Sequence, residues 1–441
     1  MFKKAFLVGG LILAGIVVVM GITTISKRTN PPVADTQQQQ DAGAERPVGP
    51  ATPADQLIGI AHALIKRAPD VYNNYNLLAV AYMQKARETG DFNFNARAEA
   101  ALTQSFKLSP DNFDALKLHS KLLVTYHRFS EALPVARRVI EQKPNDYEAH
   151  GVLADALVEL GSYDEAKKAV QAMLDVRPYT ASYARASYLR SLYGETEGAI
   201  EAMRLAVQSA NAGDPEELAW CRVHLGDELM NAGKRTDAER EYDHALFIFP
   251  NHYLALAAKG RARLAAGDTE RAIEFYKRAQ ERVPSPETAI ALGDIYTKLG
   301  RAEDARKQFE LVEFVEKMGA SGGTYSRLLA LFWADHDMKL DEALAAARRE
   351  RESRADIYTS DVLAWCLYKK GLHAEAKTAI DEALRLGTRD ATINYHAGMI
   401  YRALGKHREA TKHLQLALMI NPSFGLLQAD LARQALRDLA A

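Results

Sequence analysis

The chain has 441 residues, of which 48% are hydrophobic and 26% are charged, the composition of an ordinary folded protein. Its length excludes a single compact globule and predicts either several domains or an extended repeat array. The 57 acidic and 56 basic side chains leave a formal net charge of -1, which excludes binding of nucleic acid through overall positive charge.

The first feature along the chain is an uncharged apolar run over residues 5–25, with two lysines before it and Lys27 and Arg28 after it. This run is long enough to cross a bilayer. A cleavable signal peptide would have a shorter apolar core and a small-residue cleavage site. We therefore predict an uncleaved transmembrane signal anchor over residues 1–28, with cleavage as the alternative.

The flanking charges bear on membrane orientation. Short N-terminal lysines usually stay cytoplasmic, and a long following domain is exported regardless of its charge. This predicts a single-pass membrane protein whose body is exported, although basic residues on both sides of the run leave the cytoplasmic orientation open. Residues 29–55 are rich in proline, glutamine and small residues, which predicts a disordered linker.

A regular repeat begins after the linker. One alanine recurs at intervals of 33 or 34 residues, apart from two longer intervals of 39 and 38 residues. From the second unit onward, the residue twelve positions before each alanine is small, with Leu331 as the exception. A glycine often lies between this small residue and the alanine. A proline often follows twelve positions after the alanine, where it ends a helix. Each unit is therefore predicted to be helix, turn and helix. The alanines are Ala98, Ala132, Ala166, Ala199, Ala238, Ala272, Ala305, Ala343, Ala376 and Ala410.

The stretch from Gly293 through Gly300 to Ala305, with Phe309 following, resembles the tetratricopeptide repeat, whose period is 34 residues. The resemblance covers residues 72–422 in about ten units. It implies an all-α fold, a right-handed α-solenoid of helix-turn-helix repeats over residues 56–422. Apolar residues at helical spacing predict a C-terminal capping helix within residues 423–441. The two longer intervals contain residues 212–215 and 319–323, which are either longer loops or hinges.

No catalytic motif occurs in the sequence, so we predict that the protein is not an enzyme and has no cofactor. The only cysteines are Cys221 and Cys366, which lack the paired spacing of a metal site and lie four repeats apart, too far for a disulfide. The run Asp335-His336-Asp337 does not suit a metal either, because neighbouring helical residues point in different directions. We also predict no binding of nucleic acid, because basic and aromatic residues do not form a stripe.

The resemblance further implies that the first helix of each unit lines a concave groove. At the groove positions implied for the last three units, the sequence has mainly aromatic residues, which are typical of binding hot spots. We predict that these residues hold an extended or helical segment of a protein partner. The alternative is that the rings pack against neighbouring helices. The predicted groove residues are Tyr325, Phe332, Tyr358, Trp365, Tyr368, Tyr395, Met399 and Arg402.

The aspartates Asp155, Asp227 and Asp294 take the place where related arrays have the asparagine of a clamp for a C-terminal carboxylate. Such a clamp is therefore in doubt for this chain. With its predicted anchor, the chain resembles bacterial membrane-anchored tetratricopeptide-repeat proteins. This resemblance implies a protein of the bacterial inner membrane whose repeat array lies in the periplasm. It also implies a scaffold that recruits or stabilises an envelope protein complex through its groove. A cytoplasm-facing regulatory or quality-control adaptor, and a structural protein that forms homo-oligomers, are the alternatives.

Overall fold

The computed structural model describes residues 53–89, 93–319 and 327–440, and all regular elements in these ranges are α-helices. They are numbered α1 to α22 in chain order. Their bounds are α1 Pro53–Arg67, α2 Tyr72–Thr89, α3 Asn93–Leu108, α4 Phe113–Thr125, α5 Phe129–Gln142, α6 Tyr147–Glu159, α7 Tyr163–Val176, α8 Thr180–Leu192, α9 Thr196–Ser209, α10 Pro215–Asn231, α11 Arg235–Ile248, α12 Tyr253–Ala265, α13 Thr269–Arg282, α14 Pro286–Lys298, α15 Ala302–Gly319, α16 Arg327–Asp335, α17 Leu340–Ser353, α18 Ile357–Lys369, α19 His373–Ala383, α20 Ala391–Ala403, α21 His407–Ile420 and α22 Gln428–Ala440.

The helices pair into hairpins as the repeat predicts. From α2–α3 to α20–α21 they form ten hairpins, each with a first helix, a short turn and a second helix. The described residues divide into two compact units, one ending at Pro110 and the other beginning at Asp111. The first unit contains α1 and the α2–α3 hairpin, and the second contains the other nine hairpins and α22.

The ten repeat alanines all lie in second helices, and each is no more than 5% exposed. Glycines in first helices allow equally close packing. A Cβ atom built on Gly226 would lie 2.3 Å from the ring of Tyr242, and one on Gly293 would lie 2.2 Å from the ring of Phe309. Both glycines belong to the small residues that precede the repeat alanines by twelve positions. The structure adds that each one makes room for a large side chain sixteen residues later.

The turns within the hairpins also agree with the sequence. The predicted turn glycines have φ angles between 68° and 80°, in the left-handed region that glycine adopts without steric cost.

The first long interval contains a turn between α9 and α10. At the end of this turn, Asp214 caps α10 and Pro215 is the first residue of the helix. Apolar residues of α9 and α10 share one core across this turn, which favours a longer loop over a hinge. In the second long interval, residues 320–323 of the predicted loop or hinge lie outside the described ranges.

The helix α22 packs on α20 and α21 at the end of the array, in the region predicted to hold a capping helix. At the other end, α1 begins at Pro53, so the described part of the chain starts inside the predicted linker. Among the described helices, none combines the length and apolar character needed to span a bilayer. The predicted anchor over residues 1–28 lies outside the described residues.

A long-range contact within the second unit was not predicted from the sequence. The turn after α6 meets the segment between α17 and α18. There the backbone nitrogen of Ala355 donates to the carbonyl of Glu159 at 2.8 Å, and that of Ile357 donates to the hydroxyl of Tyr163 at 2.9 Å. The guanidinium of Arg354 lies 3.4 Å from the carboxylate of Glu159. The third hairpin thus contacts the ninth, and the array of this unit turns back on itself.

Candidate functional site

The first helices line the inner face of the second unit. Apolar side chains of α6 and α8 belong to one buried cluster with those of α16, α18 and α20. First helices from distant hairpins therefore meet in the interior of this unit. A concave groove lined by first helices is what the sequence resemblance implies.

The predicted groove residues divide into three sets in the structure. The rings of Phe332, Trp365 and Tyr395 are only 1% or 2% exposed. A second set is partly exposed on α18 and α20, and it consists of Tyr358, Tyr368, Met399 and Arg402. Tyr325 lies outside the described residues. The buried rings pack against neighbouring helices, which was the alternative to groove binding. Only the second set offers surface to a partner.

Trp365 is the centre of the buried cluster. Its ring stacks on His396 of α20 at a centroid distance of 4.1 Å and on Tyr368 at 4.8 Å. Its indole nitrogen donates to Asp335 of α16 at 2.8 Å. Because one side chain holds three successive first helices together, Trp365 supports the groove from beneath.

Two histidine–aspartate pairs join first helices in the same region. The imidazole of His336 lies 2.7 Å from Asp294, and that of His396 lies 2.9 Å from Asp361. Burial alone would lower the pKa of each histidine, but the carboxylate partners reverse this and raise it above the ordinary value. The sequence analysis missed these pairs, because partners in different repeats are separated by 35 and 42 residues and follow no local pattern.

Two of the predicted groove residues on α20 contact α22 and the residues just before it. The guanidinium of Arg402 makes an ion pair of 2.7 Å with Asp438 of α22. The ring of Phe424 lies 5.4 Å from the ring of Tyr395. Arg402 is therefore already neutralised within the chain, which leaves Tyr358, Tyr368 and Met399 as the accessible uncharged residues of the row.

The carboxylates on the first helices α6 and α10 mostly have partners within the chain. Asp155 pairs with Arg185, and Asp227 accepts a hydrogen bond of 2.8 Å from the hydroxyl of Tyr242. Among the described residues, Glu228 has no cationic partner of this kind. The hydrogen bonds that it accepts come from neutral groups, including the Ser191 hydroxyl at 3.2 Å. Burial raises its pKa to about 7. The carboxyl group of Glu228 therefore changes charge near neutral pH.

In the part of the chain that the structure describes, no three acidic, histidine or cysteine side chains converge as metal ligands. Only Asp335 of the run from Asp335 to Asp337 lies in a helix, since α16 ends there, and all three side chains have partners within the chain. Asp335 accepts from Trp365, and Asp337 pairs with Lys369 on α18. Both cysteines are buried free thiols.

Three segments of the chain match family models described as tetratricopeptide repeats, over residues 123–187, 224–285 and 391–424. The TPR repeat-containing protein YpiA of Bacillus subtilis is 21% identical over 334 residues, which are 73% of this chain and 75% of that protein. BBSome complex member BBS4 of Bos taurus is 26% identical over 254 residues, which are 55% of this chain. The match covers 46% of BBS4, so the chain spans less than half the length of that relative.

Solved structures also show partial similarity to the chain. The human IFIT1 dimer with PPP-AAAA is similar with a TM-score of 0.44 and 16% identity, over 76% of this chain and 78% of that one. Together with the paired helices, the matched models show that the chain contains tetratricopeptide repeats, which are typical of protein-binding scaffolds.

Proposed function

We propose that this tetratricopeptide-repeat protein is a membrane-tethered scaffold that recruits or stabilises an envelope protein complex through the concave groove of its last hairpins. The observation that carries the proposal is the partly exposed row of Tyr358, Tyr368 and Met399 on two successive first helices. Aromatic and methionine side chains are enriched at protein interfaces. The buried rings of Trp365 and Tyr395 hold this row in place, which reduces the entropy lost on binding.

The membrane part of the proposal is supported by the uncharged apolar run over residues 5–25. Its length suits a single bilayer crossing, and the linker after it has a reach of roughly 25 to 30 Å as a flexible coil. The array would then stand away from the membrane on the periplasmic side. Protease added to intact spheroplasts tests this arrangement: digestion of the array supports the periplasmic orientation, and protection indicates the cytoplasmic alternative.

The groove is tested by capturing partners with the full-length protein in its membrane. Tyr368→Ala and Met399→Ala remove surface contacts while the buried cluster keeps most of its packing. We expect both variants to lose the same partner and to stay folded, with a larger decrease in melting temperature for Tyr368→Ala, because its ring stacks on Trp365. Phe247→Ala is the matched control, because this ring on α11 is 88% exposed and lies on a second helix.

Trp365→Ala is unsuitable for this test, because the ring is 2% exposed and its loss would damage the packing of α16, α18 and α20. Equal capture by the wild type and the two groove variants would contradict the groove. A mass that rises with concentration for the wild type, but not for Tyr368→Ala, would instead support the self-associating alternative.

A further inference from the structure

The segment that leads from α21 into α22 lies between the first helices of two distant hairpins. On one side, the ring of Phe424 lies 5.4 Å from the ring of Tyr395 on α20, in the tenth hairpin. On the other side, the Nζ of Lys298 on α14, in the seventh hairpin, donates to the carboxylate of Asp430 at 2.7 Å. We call residues 422–430 the strap. The strap therefore bridges two first helices that are three hairpins apart.

The strap also has an apolar contact between its two ends. Leu426 packs against a buried cluster of the sixth and seventh hairpins that includes Tyr276, Leu292 and Tyr296. The carbonyl oxygen of Leu426 accepts a hydrogen bond of 3.4 Å from the Nζ of Lys298. The strap thus places an aromatic, an apolar and an acidic side chain on three separate parts of the array.

The strap lies beside the row of residues that the proposed function uses. The ring of Tyr395, which the strap contacts, lies 5.5 Å from the ring of Trp365, and Trp365 stacks on Tyr368 of that row. Met399 lies four residues after Tyr395 on α20, which puts the two side chains on the same face of the helix. The strap therefore covers the C-terminal end of the proposed groove, next to Tyr368 and Met399.

The contacts that hold the strap are of a kind that another segment could replace. The strap residues before α22 lie outside any helix, and their apolar side chains are only partly buried. The side chains of Lys298 and Asp430 are 47% and 59% exposed, and ion pairs at exposed sites contribute little to stability. The rest of α22 is anchored by the buried Ala432 and Ala435. The strap can therefore leave its site while most of α22 stays packed.

We propose that the strap is an internal ligand of the groove, and that the partner protein binds by replacing it with a segment of the same chemistry. Such a segment has an aromatic residue, an apolar residue two positions later and an acidic residue four positions after that, the spacing of Phe424, Leu426 and Asp430. Its ring would pack on Tyr395 and its carboxylate would pair with Lys298. This inference rests on the proposed function, because it names the partner chemistry and the regulation of the same groove.

The covalent connection of the strap sets the direction of the expected effect. A tethered segment is present at its site at a high effective concentration and competes with any segment that arrives from solution. The wild-type groove should therefore bind a partner segment weakly, and a chain with a weakened strap should bind the same segment more tightly.

The test uses the full-length protein in detergent and a fluorescent peptide with the sequence of residues 421–431. In the strap variant Phe424→Ala/Asp430→Ala, the internal ligand loses two of its contacts. Fluorescence anisotropy should show saturable binding of the peptide to the strap variant, at least tenfold tighter than to the wild type. Adding Lys298→Glu to the strap variant should weaken binding at least fivefold. A peptide that carries the Asp430→Lys change should restore it.

The matched control adds Lys277→Glu to the strap variant, because Lys277 is an exposed lysine of α13 outside the strap contacts. It should bind the peptide as the strap variant does. Hydrogen exchange provides a second measurement within the intact chain. Lys298→Glu alone should speed exchange in residues 423–431, and Lys298→Glu/Asp430→Lys should return it to the wild-type rate. Equal exchange in these proteins, or equal peptide binding by the wild type and the strap variant, would overturn the proposal.

Partner capture separates a failure of this proposal from a failure of the proposed function. The strap variant should capture at least threefold more of the partner that Tyr368→Ala loses. Loss by Tyr368→Ala without a gain by the strap variant would overturn the strap proposal alone, whereas unchanged capture by Tyr368→Ala would overturn the groove itself. A wild-type mass that rises with concentration, beside a strap variant that stays monomeric, would show that the strap binds a second copy of the chain and would also overturn the proposal.

Discussion

The hydroxyl oxygen of Tyr163 accepts a hydrogen bond of 2.9 Å from the backbone nitrogen of Ile357, which lies 194 positions later in the chain. Tyr163 begins the second helix of the third hairpin, and Ile357 begins the first helix of the ninth. Solenoids are usually held together by contacts between neighbouring repeats. In this protein, a contact also joins two hairpins that are six repeats apart within the second unit.

Tyr163→Phe tests this contact. The substitution leaves the buried nitrogen of Ile357 without its acceptor, which should reduce the free energy of unfolding by about 1 to 3 kcal/mol. Urea denaturation measures this change, and hydrogen exchange should be faster at Ile357. Tyr147→Phe is the control, since its hydroxyl pairs with Arg177 at an exposed site and its loss should cost little. Equal effects of the two variants would contradict a special role for the long-range contact.

The same contact can be tested at a turn glycine. Gly161 has a φ of 72°, and a Cβ atom added there would lie 2.5 Å from the carbonyl oxygen of Ala355. Gly371 has a φ of 75° and no atom within 4 Å of such a Cβ. Both alanine variants should lose about 1 to 2 kcal/mol from the left-handed backbone. Gly161→Ala should lose more, because it also pushes the two distant hairpins apart.

Thermal unfolding and small-angle X-ray scattering of the two variants separate these effects. We expect Gly371→Ala to lower the melting temperature without changing the radius of gyration. Gly161→Ala should lower the melting temperature further and increase the radius. The prediction fails if the two variants have the same stability and the same radius.

Packing inside a hairpin is tested by Gly226→Ala. The added methyl group would lie 2.3 Å from the ring of Tyr242, which is fully buried, so the helices must separate or the ring must move. Overpacking of this kind costs typically about 1 to 3 kcal/mol. Gly59→Ala on α1 is the opposite control: nothing lies within 4 Å of its added Cβ atom, and it should stabilise the helix by about 0.5 to 1 kcal/mol. Urea midpoints that shift in the same direction would contradict this explanation.

Glu228 should make stability depend on pH. Burial raises its pKa from 4.5 to about 7 in the folded protein, so the folded state favours the protonated carboxyl group. This contribution is fully present below pH 4.5 and is lost as the pH rises to about 7. Glu228→Gln keeps an oxygen that accepts from Ser187 and Ser191, but it has no charge to desolvate.

We expect Glu228→Gln to match the wild type at pH 4.5 and to be more stable at pH 8, by on the order of 1 to 3 kcal/mol. Urea denaturation at the two pH values measures the difference. Glu270→Gln, at an exposed position of α13, should change stability little at either pH. A stability difference between Glu228→Gln and the wild type that does not vary with pH would show that the carboxyl group is well solvated.

Much of the fold could be predicted because the repeat describes contacts that are close in sequence. The ten alanines, the turn glycines and the prolines each specify a position inside one hairpin or at its boundary, and the structure confirms them. The groove was predicted less completely. Spacing shows that Trp365 and Tyr368 belong to a first helix, but whether a ring lies in the groove or beneath it depends on His396 and Asp335 in other hairpins.

The partner-binding role of the accessible residues stays a prediction, as does the membrane anchor. The sequence by itself determined the hairpin and its repetition, because helix propensity, small residues at crossing points and glycine turns act over about 34 residues. Only the tertiary structure decided where the array meets itself. The small rotation between successive hairpins adds up over six repeats, and that sum brings Tyr163 to Ile357 although neither residue carries a local sign of the contact.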